Sequence, residues 1–204
     1  MHGNVDYVSR WLARGFITAA VIYTFSETSG AHADPAVTIA FLARRVFPLP
    51  LAIVYIIAQF AGAFIAAATW LALLGPQKLA LGASHPGSAF SDTTAAVTEI
   101  VLTFVLMLVI LMTAQEESTI GKQAALAVGF TVAACGFAAG PISGASMNPA
   151  RTIAPQLLSG HVESAWVYLV GPIVGALLAV PAHALICGKP SRGEERAAGG
   201  KKRH

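Results

Sequence analysis

Charge is scarce in this sequence. Asp, Glu, Lys and Arg make up 11% of its 204 residues, against roughly 25% for an average soluble domain. So few hydrated groups cannot cover a water-soluble globule. With 55% apolar residues and a mean hydropathy of +0.66, the chain reads as a membrane protein. Cysteine is nearly absent too. Cys135 and Cys187 lie in or beside apolar stretches, with no CxxC and no Cys/His cluster. That supports neither a disulfide framework nor a metal site, and both read as small packing groups. Catalytic sets are lacking: His85, His161 and His183 stand alone, and His32 and Ser146 have neither a nucleophile nor a metal partner nearby. The sequence therefore implies no enzyme, no cofactor and no metal. Basic residues gather in the tail, from Lys189 to Arg203, where a cluster beside a span is a topology signal and not a nucleic-acid site.

Long apolar runs take the place of charge. They cover about 16–25, 49–74, 94–114, 124–142 and 165–187, and a spanning helix needs about 20 residues. The first run is long enough if it extends over about 11–28, carrying Arg14 and Glu27 near its ends. Five full spans are expected. The first is unlike a cleaved signal peptide, because Glu27 follows it directly and no small-residue cleavage pattern precedes a soluble domain. Glycines such as Gly171 and Gly175 within the spans read as close-packing positions.

Between the runs the chain repeats a phrase. Ser29-Gly30-Ala31-His32-Ala33-Asp34-Pro35-Ala36 returns as Ser143-Gly144-Ala145-Ser146-Met147-Asn148-Pro149-Ala150, followed by Arg151. In each, Ser-Gly permits a turn, an Asx residue is placed to cap a helix, and Pro sits at the first helical position, where its missing N–H is no loss. Each phrase is thus a helix start, and a helix start at membrane depth is tolerated only inside protein or beside a watery cavity. Two half-helices around one pore are expected. If the basic tail is cytoplasmic, Lys122 and Arg44-Arg45 fall inside, the 75–93 loop falls outside, and the two phrases face opposite sides. That is the mark of an inverted repeat. The reading is one domain over 1–187, with repeats of about 1–75 and 94–187, and a disordered cytoplasmic tail over 188–204. The front repeat lacks a counterpart of the 94–114 span, and Arg10 and Arg14 fall on the outside against the charge rule. A segment preceding this sequence would repair both faults.

Together, SGAHADPAVT and SGASMNPAR resemble the paired Asn-Pro-Ala boxes of the aquaporin, or major intrinsic protein, family, over about residues 11–187, with the first helix missing. The resemblance implies an all-α membrane protein: an aquaporin-like inverted repeat of about five full transmembrane helices plus two half-helices. It also implies a multi-pass cell-membrane location, assembly as a homotetramer, and a passive channel whose partners are water, small neutral solutes and the lipid bilayer. Asp34, Pro35 and Ala36 form the first box and Asn148, Pro149 and Ala150 the second.

The resemblance places Arg151 at the outer constriction, with Gly136, Ala145 and Arg14 completing the filter. Gly136 and Ala145 are small, which predicts a wide filter. Arg14 either narrows the mouth and adds charge, or snorkels to the interface and leaves the filter open; snorkelling is the expectation here. Glu99 matches a buried glutamate that accepts hydrogen bonds from the loop bearing the second box, and its first-repeat counterpart would lie on the missing helix. Glu27 stands near the inner mouth. Thr152 and Tyr168 resemble water-type members, so water ranks first and glycerol-like solutes second. A secondary transporter or a non-conducting subunit are the rival readings.

Physics agrees with two facing half-helices: each amino end carries about half a positive charge, which repels cations. Arg donors at a constriction act in the same direction. Asp34 is the departure, because the family has Asn there and an ionised Asp only accepts hydrogen bonds.

Overall fold

The computed structural model describes residues 7–115 and 123–200. Lys122, Lys201, Lys202 and Arg203, used above as topology signals, lie outside the described residues. The elements run α1 (Tyr7–Ser29), α2 (Pro35–Ala43), α3 (Leu49–Leu74), α4 (Pro76–Gly82), α5 (Asp92–Thr113), α6 (Ala124–Ser143), α7 (Pro149–Ser159), α8 (Ala165–Cys187) and α9 (Arg192–Gly199). By length and composition α3, α5, α6 and α8 can each cross a membrane. The fifth expected span, α1, is 23 residues long. The two repeated phrases end at α2 and α7, both short and both begun by proline.

Small residues decide which helices touch. A Cβ on Gly15 of α1 would lie 2.5 Å from Gly129 O of α6, so these two backbones cross in direct contact. On α8, a Cβ at Gly171 would come within 2.8 Å of Glu99 Cβ, and one at Gly175 would strike Ile100 O, which packs α8 tightly along α5. The half-helices then cross over. α2, from the first repeat, packs against α8 of the second, and α7 packs against α3 of the first. A core of Phe41, Met107, Leu111 and Ala176 joins α2, α5 and α8.

The two repeats differ in their neighbours. α5 lies along α8, whereas among the described residues no long helix lies along α3 in the same way. Only Ala52 and Ala67 of α3 are buried.

The tail corrects one expectation. Residues 192–199 are not disordered but form α9, opened by a capping box in which Ser191 Oγ accepts from Glu194 N and Glu194 Oε1 accepts from Ser191 N. Glu194 also accepts from Arg44 Nε at 2.7 Å and from Gln115 Nε2 at 2.9 Å, and Arg44 donates to Gly188 O at 2.9 Å. Glu194 is fully buried, and Ala198 joins the core of α2, α5 and α8. The Ser-x-x-Glu signature was present in the sequence, but a basic run of Gly and Lys hid it.

Burial of Glu194 works to raise its carboxyl, but the hydrogen bonds from Arg44, Gln115 and the Ser191 N–H outweigh it and hold the group below the usual carboxylate range. A depressed folded-state pKa contributes stability that is present above the unfolded pKa and lost as pH falls through the folded one. We therefore expect α9 to stay docked at neutral pH and to loosen on acidification below the ordinary carboxylate range. Hydrogen exchange of the 193–199 amides at pH 7 checks the contact: Glu194→Ala speeds exchange throughout the segment, and equal protection in both proteins would contradict the docking.

Candidate functional site

At the centre of the bundle the two repeated phrases approach each other. Pro35 and Pro149 occupy the first positions of α2 and α7, and each helix is capped by the preceding Asx side chain. Asp34 Oδ1 accepts from Ala36 N at 2.8 Å, and Asn148 Oδ1 accepts from Arg151 N at 3.1 Å. Asn148 Nδ2 then donates to Ala33 O at 2.7 Å, tying the second box to the loop of the first. An Asn side chain carries two amide donors, so one N–H is left for another partner.

Both loops fold in the left-handed region at equivalent places: Gly30 (φ 70°) and Ala31 (φ 54°), Gly144 (φ 77°) and Ala145 (φ 40°). Met147 adds φ 55° in the second loop. Non-glycine residues hold such angles only where the surroundings over-determine them. For the second loop Glu99 supplies that constraint. Fully buried on α5, its carboxylate accepts from Ser143 Oγ at 2.7 Å, Ser146 N at 2.8 Å and Met147 N at 2.7 Å. Tyr168 OH donates to Ser143 O at 2.7 Å from α8.

The first loop has a matching tyrosine but a different brace. Tyr55 OH donates to Ser29 O at 3.0 Å, as Tyr168 does to Ser143 O. Thr38 Oγ1 meets His32 Nδ1 where Thr152 Oγ1 meets Ser146 Oγ. In place of a carboxylate, the Gln59 amide on α3 donates to His32 O at 2.6 Å and to Thr38 Oγ1 at 2.9 Å. His32 itself lies in an aromatic cage, stacked on Phe41 at 4.9 Å with Phe47 and Tyr55 around it. Sequence reading missed Gln59 and this cage. The one available signal was a lone Gln inside an apolar run.

The residues expected at the filter fall into two groups. Arg151 donates to Ser84 Oγ and to Gly82 O, and Ser84 is held in turn by Gln156 Nε2, which donates to Ser84 O at 2.9 Å. Neither Ser84 nor Gln156 was anticipated. Ala145 lies on the opposite stretch of the loop with Arg14, whose Nη2 donates to Ala145 O at 3.0 Å and Ser146 O at 3.3 Å. This corrects the snorkelling expectation: two loop carbonyls inside the bundle, Ala145 O and Ser146 O, outbid the interface for the guanidinium. Gly136 needs correction as well. It leaves no free width, because the Trp11 indole lies on it and a Cβ there would run into the ring. Trp11 also carries the Arg14 guanidinium, 4.7 Å from the ring centroid.

Beside the boxes, a cavity of about 440 Å³ lies between α3 and α7. Its walls include Gln59, Ala63 and Trp70 on one side and Asn148 and Arg151 on the other. Apolar surface faces a few convergent donors, an arrangement suited to small hydrogen-bonding molecules. Among the described residues no cluster of His, Cys, Asp or Glu could hold a metal ion.

Removing the Glu99 carboxylate orphans two buried N–H groups, at about 1–3 kcal/mol each. Glu99→Ala is therefore expected to cost about 2–6 kcal/mol, and Glu99→Gln, which keeps an acceptor oxygen, less. Thermal unfolding in detergent micelles measures both, and equal melting of the alanine variant and the unsubstituted chain would refute the bracing.

The family model for major intrinsic proteins matches residues 2–183. Similar curated proteins include aquaporin NIP1-1 of Zea mays, 39% identical over 91% of this chain and 65% of its own length, and putative aquaporin NIP4-1 of Arabidopsis thaliana, 40% identical over 86% and 61%. The chain thus spans less than two thirds of the length of these relatives. In three dimensions it resembles the X-ray structure of the aquaglyceroporin from Plasmodium falciparum, with a TM-score of 0.81 and 25% identity over 92% of this chain and 86% of that one. The chain belongs to the major intrinsic protein family, and its apolar helices make it a multi-pass membrane protein.

Proposed function

We propose that this protein is a passive, bidirectional channel for water. Its centre is formed by Asp34-Pro35-Ala36 and Asn148-Pro149-Ala150, and its constriction by Arg151 and Ala145 with Arg14, while Gly136 is covered by the Trp11 indole. The observation that carries this reading is the meeting of two capped half-helices by their amino ends, tied through Asn148 Nδ2 and Ala33 O at 2.7 Å. Each amino end contributes about half a positive charge, and their sum at one point opposes cations while leaving neutral molecules unaffected. The remaining Asn148 N–H offers a donor to a passing oxygen, and Arg151 offers more. Water ranks first because Trp11 takes up the space that Gly136 would otherwise leave.

Glycerol-sized neutral solutes are the second reading. It is favoured by the small side chain of Ala145 in the second box loop and by the fold shared with an aquaglyceroporin. We further place the chain in the cell membrane with its carboxyl terminus in the cytoplasm, and assign it a homotetrameric assembly with one pore per subunit, as for the family.

Stopped-flow light scattering on proteoliposomes tests the function. Under a sucrose gradient the vesicles shrink several-fold faster than protein-free ones, in proportion to the gradient and independently of ions. Under a glycerol gradient, slow re-swelling supports the water channel and fast re-swelling the second reading. Saturable, ion-dependent flux would point to a transporter instead, and no acceleration in a folded sample would remove the channel reading altogether.

A further inference from the structure

The tail helix lies across one end of the bundle, where α1, α2, α5 and α8 all finish. Its Glu194 carboxylate accepts from Arg44, which caps the carboxyl end of α2, and from Gln115, just beyond α5. Arg44 donates in turn to Gly188 O at the end of α8, and Gln115 Nε2 lies 3.0 Å from His183 Nε2 on that helix. Past the other end of α9, Gly200 packs on the last residues of α1. A Cβ there would lie 2.9 Å from Glu27 O and 3.0 Å from Ser29 N.

Between these two anchorages α9 rests directly on the loop of the first box. Gly30, at φ 70°, has no room for a Cβ, because Ala197 O and Ala198 O would each stand 2.5 Å from it. The contact is backbone on backbone, and Ala198 is fully buried in the core it shares with α2, α5 and α8. Gly30 and Arg44 stand at the two ends of one unit, the loop and half-helix of residues 30–44, and α9 holds both. That unit has few other holds. Glu99 braces the second loop at Ser143, Ser146 and Met147, and Ser84 covers the glycine turn at Gly144. In the first loop Tyr55 and Gln59 take Ser29 O and His32 O, which leaves the left-handed pair Gly30 and Ala31 between them to other contacts. Such backbone angles persist only where the surroundings over-determine them, and at Gly30 the surroundings are α9. Movement here is felt at the centre as well: Ala33 O, in the same loop, receives Asn148 Nδ2 of the second box.

We propose that α9 is a clip on the first box and that its docking controls conduction. Seated, it fixes residues 30–44 and, through Ala33 O, the Asn148 amide; lifted, it lets the first box move and lowers water flux. The proposal rests on the channel reading above and adds a point of regulation to it, at the tail. A binding constellation works only while its donors and acceptors are held in place by their supporting contacts. Anything that draws α9 off its seat therefore turns the passage down.

The test uses the full chain in proteoliposomes, with stopped-flow water flux and hydrogen exchange by mass spectrometry measured on one preparation. Glu194→Ala releases α9 at Arg44, and Ala198→Arg wedges it off the core near its other end. Each is expected to speed exchange of the α2 amides several-fold, to leave those of α7 unchanged, and to lower water flux several-fold at equal reconstituted amounts. Glu195→Ala, on the exposed face of α9, moves neither readout. Three results overturn the proposal alone: faster exchange in 193–199 with α2 unmoved, exchange that rises equally in α2 and α7 and so marks a general loosening, or undiminished water flux once α9 is released. Absence of water flux through the unsubstituted chain overturns the channel reading and the control of conduction with it, while the exchange pattern separately decides whether α9 holds the first box.

Discussion

A helix that begins in the middle of an apolar layer has no water to satisfy its first N–H groups. Up to four donors are left open at each such end, and in hydrocarbon each unsatisfied one is costly. Most of what is distinctive in this molecule answers that constraint. Pro35 and Pro149 remove one donor from each half-helix, and Asp34 and Asn148 cover another. The loops leading in carry their own exposed amides, and Glu99 collects two of these on a single carboxylate. Its burial is tolerable because it receives three hydrogen bonds, from Ser143 Oγ and from the Ser146 and Met147 N–H groups.

The two repeats solve the same problem with opposite chemistry. Each loop has one carbonyl held by a tyrosine, Tyr55 or Tyr168, but beyond that an acceptor on α5 gathers N–H groups in the second loop, whereas the Gln59 amide on α3 donates to His32 O in the first. The difference follows from neighbours. α8 has α5 along it to supply a carboxylate, and α3 has no such companion among the described residues. The groove left beside α3 exposes the Gln59 side of the boxes, and its apolar wall of alanines faces Asn148 and Arg151.

How much of this was legible follows from the range of each signal. The half-helices, their caps and the spans rest on residues adjacent in sequence, and Ser-Gly, Asx-Pro and apolar run length announce them locally. Glu99 was legible because a lone carboxylate in an apolar run has few uses. Arg14 was misjudged for the same reason in reverse. Its long side chain can travel either way, and the decision belongs to Ala145 O and Ser146 O, 131 and 132 positions downstream. Gly136 was read as empty space because sequence counting cannot see Trp11 lying across it. Ser84 looked like one more polar loop residue until Arg151 and Gly144 closed on its hydroxyl.

The crossing of the half-helices ties the two repeats together. α2 belongs to the first repeat but packs on α8, α7 belongs to the second but packs on α3, and Asn148 Nδ2 bonds Ala33 O between them. Alternating access needs one repeat to rock against the other as a rigid body. Here each repeat keeps a limb inside its partner, so rocking would have to pull both limbs from their sockets at once. Such an interlocked pair resists opening by parts.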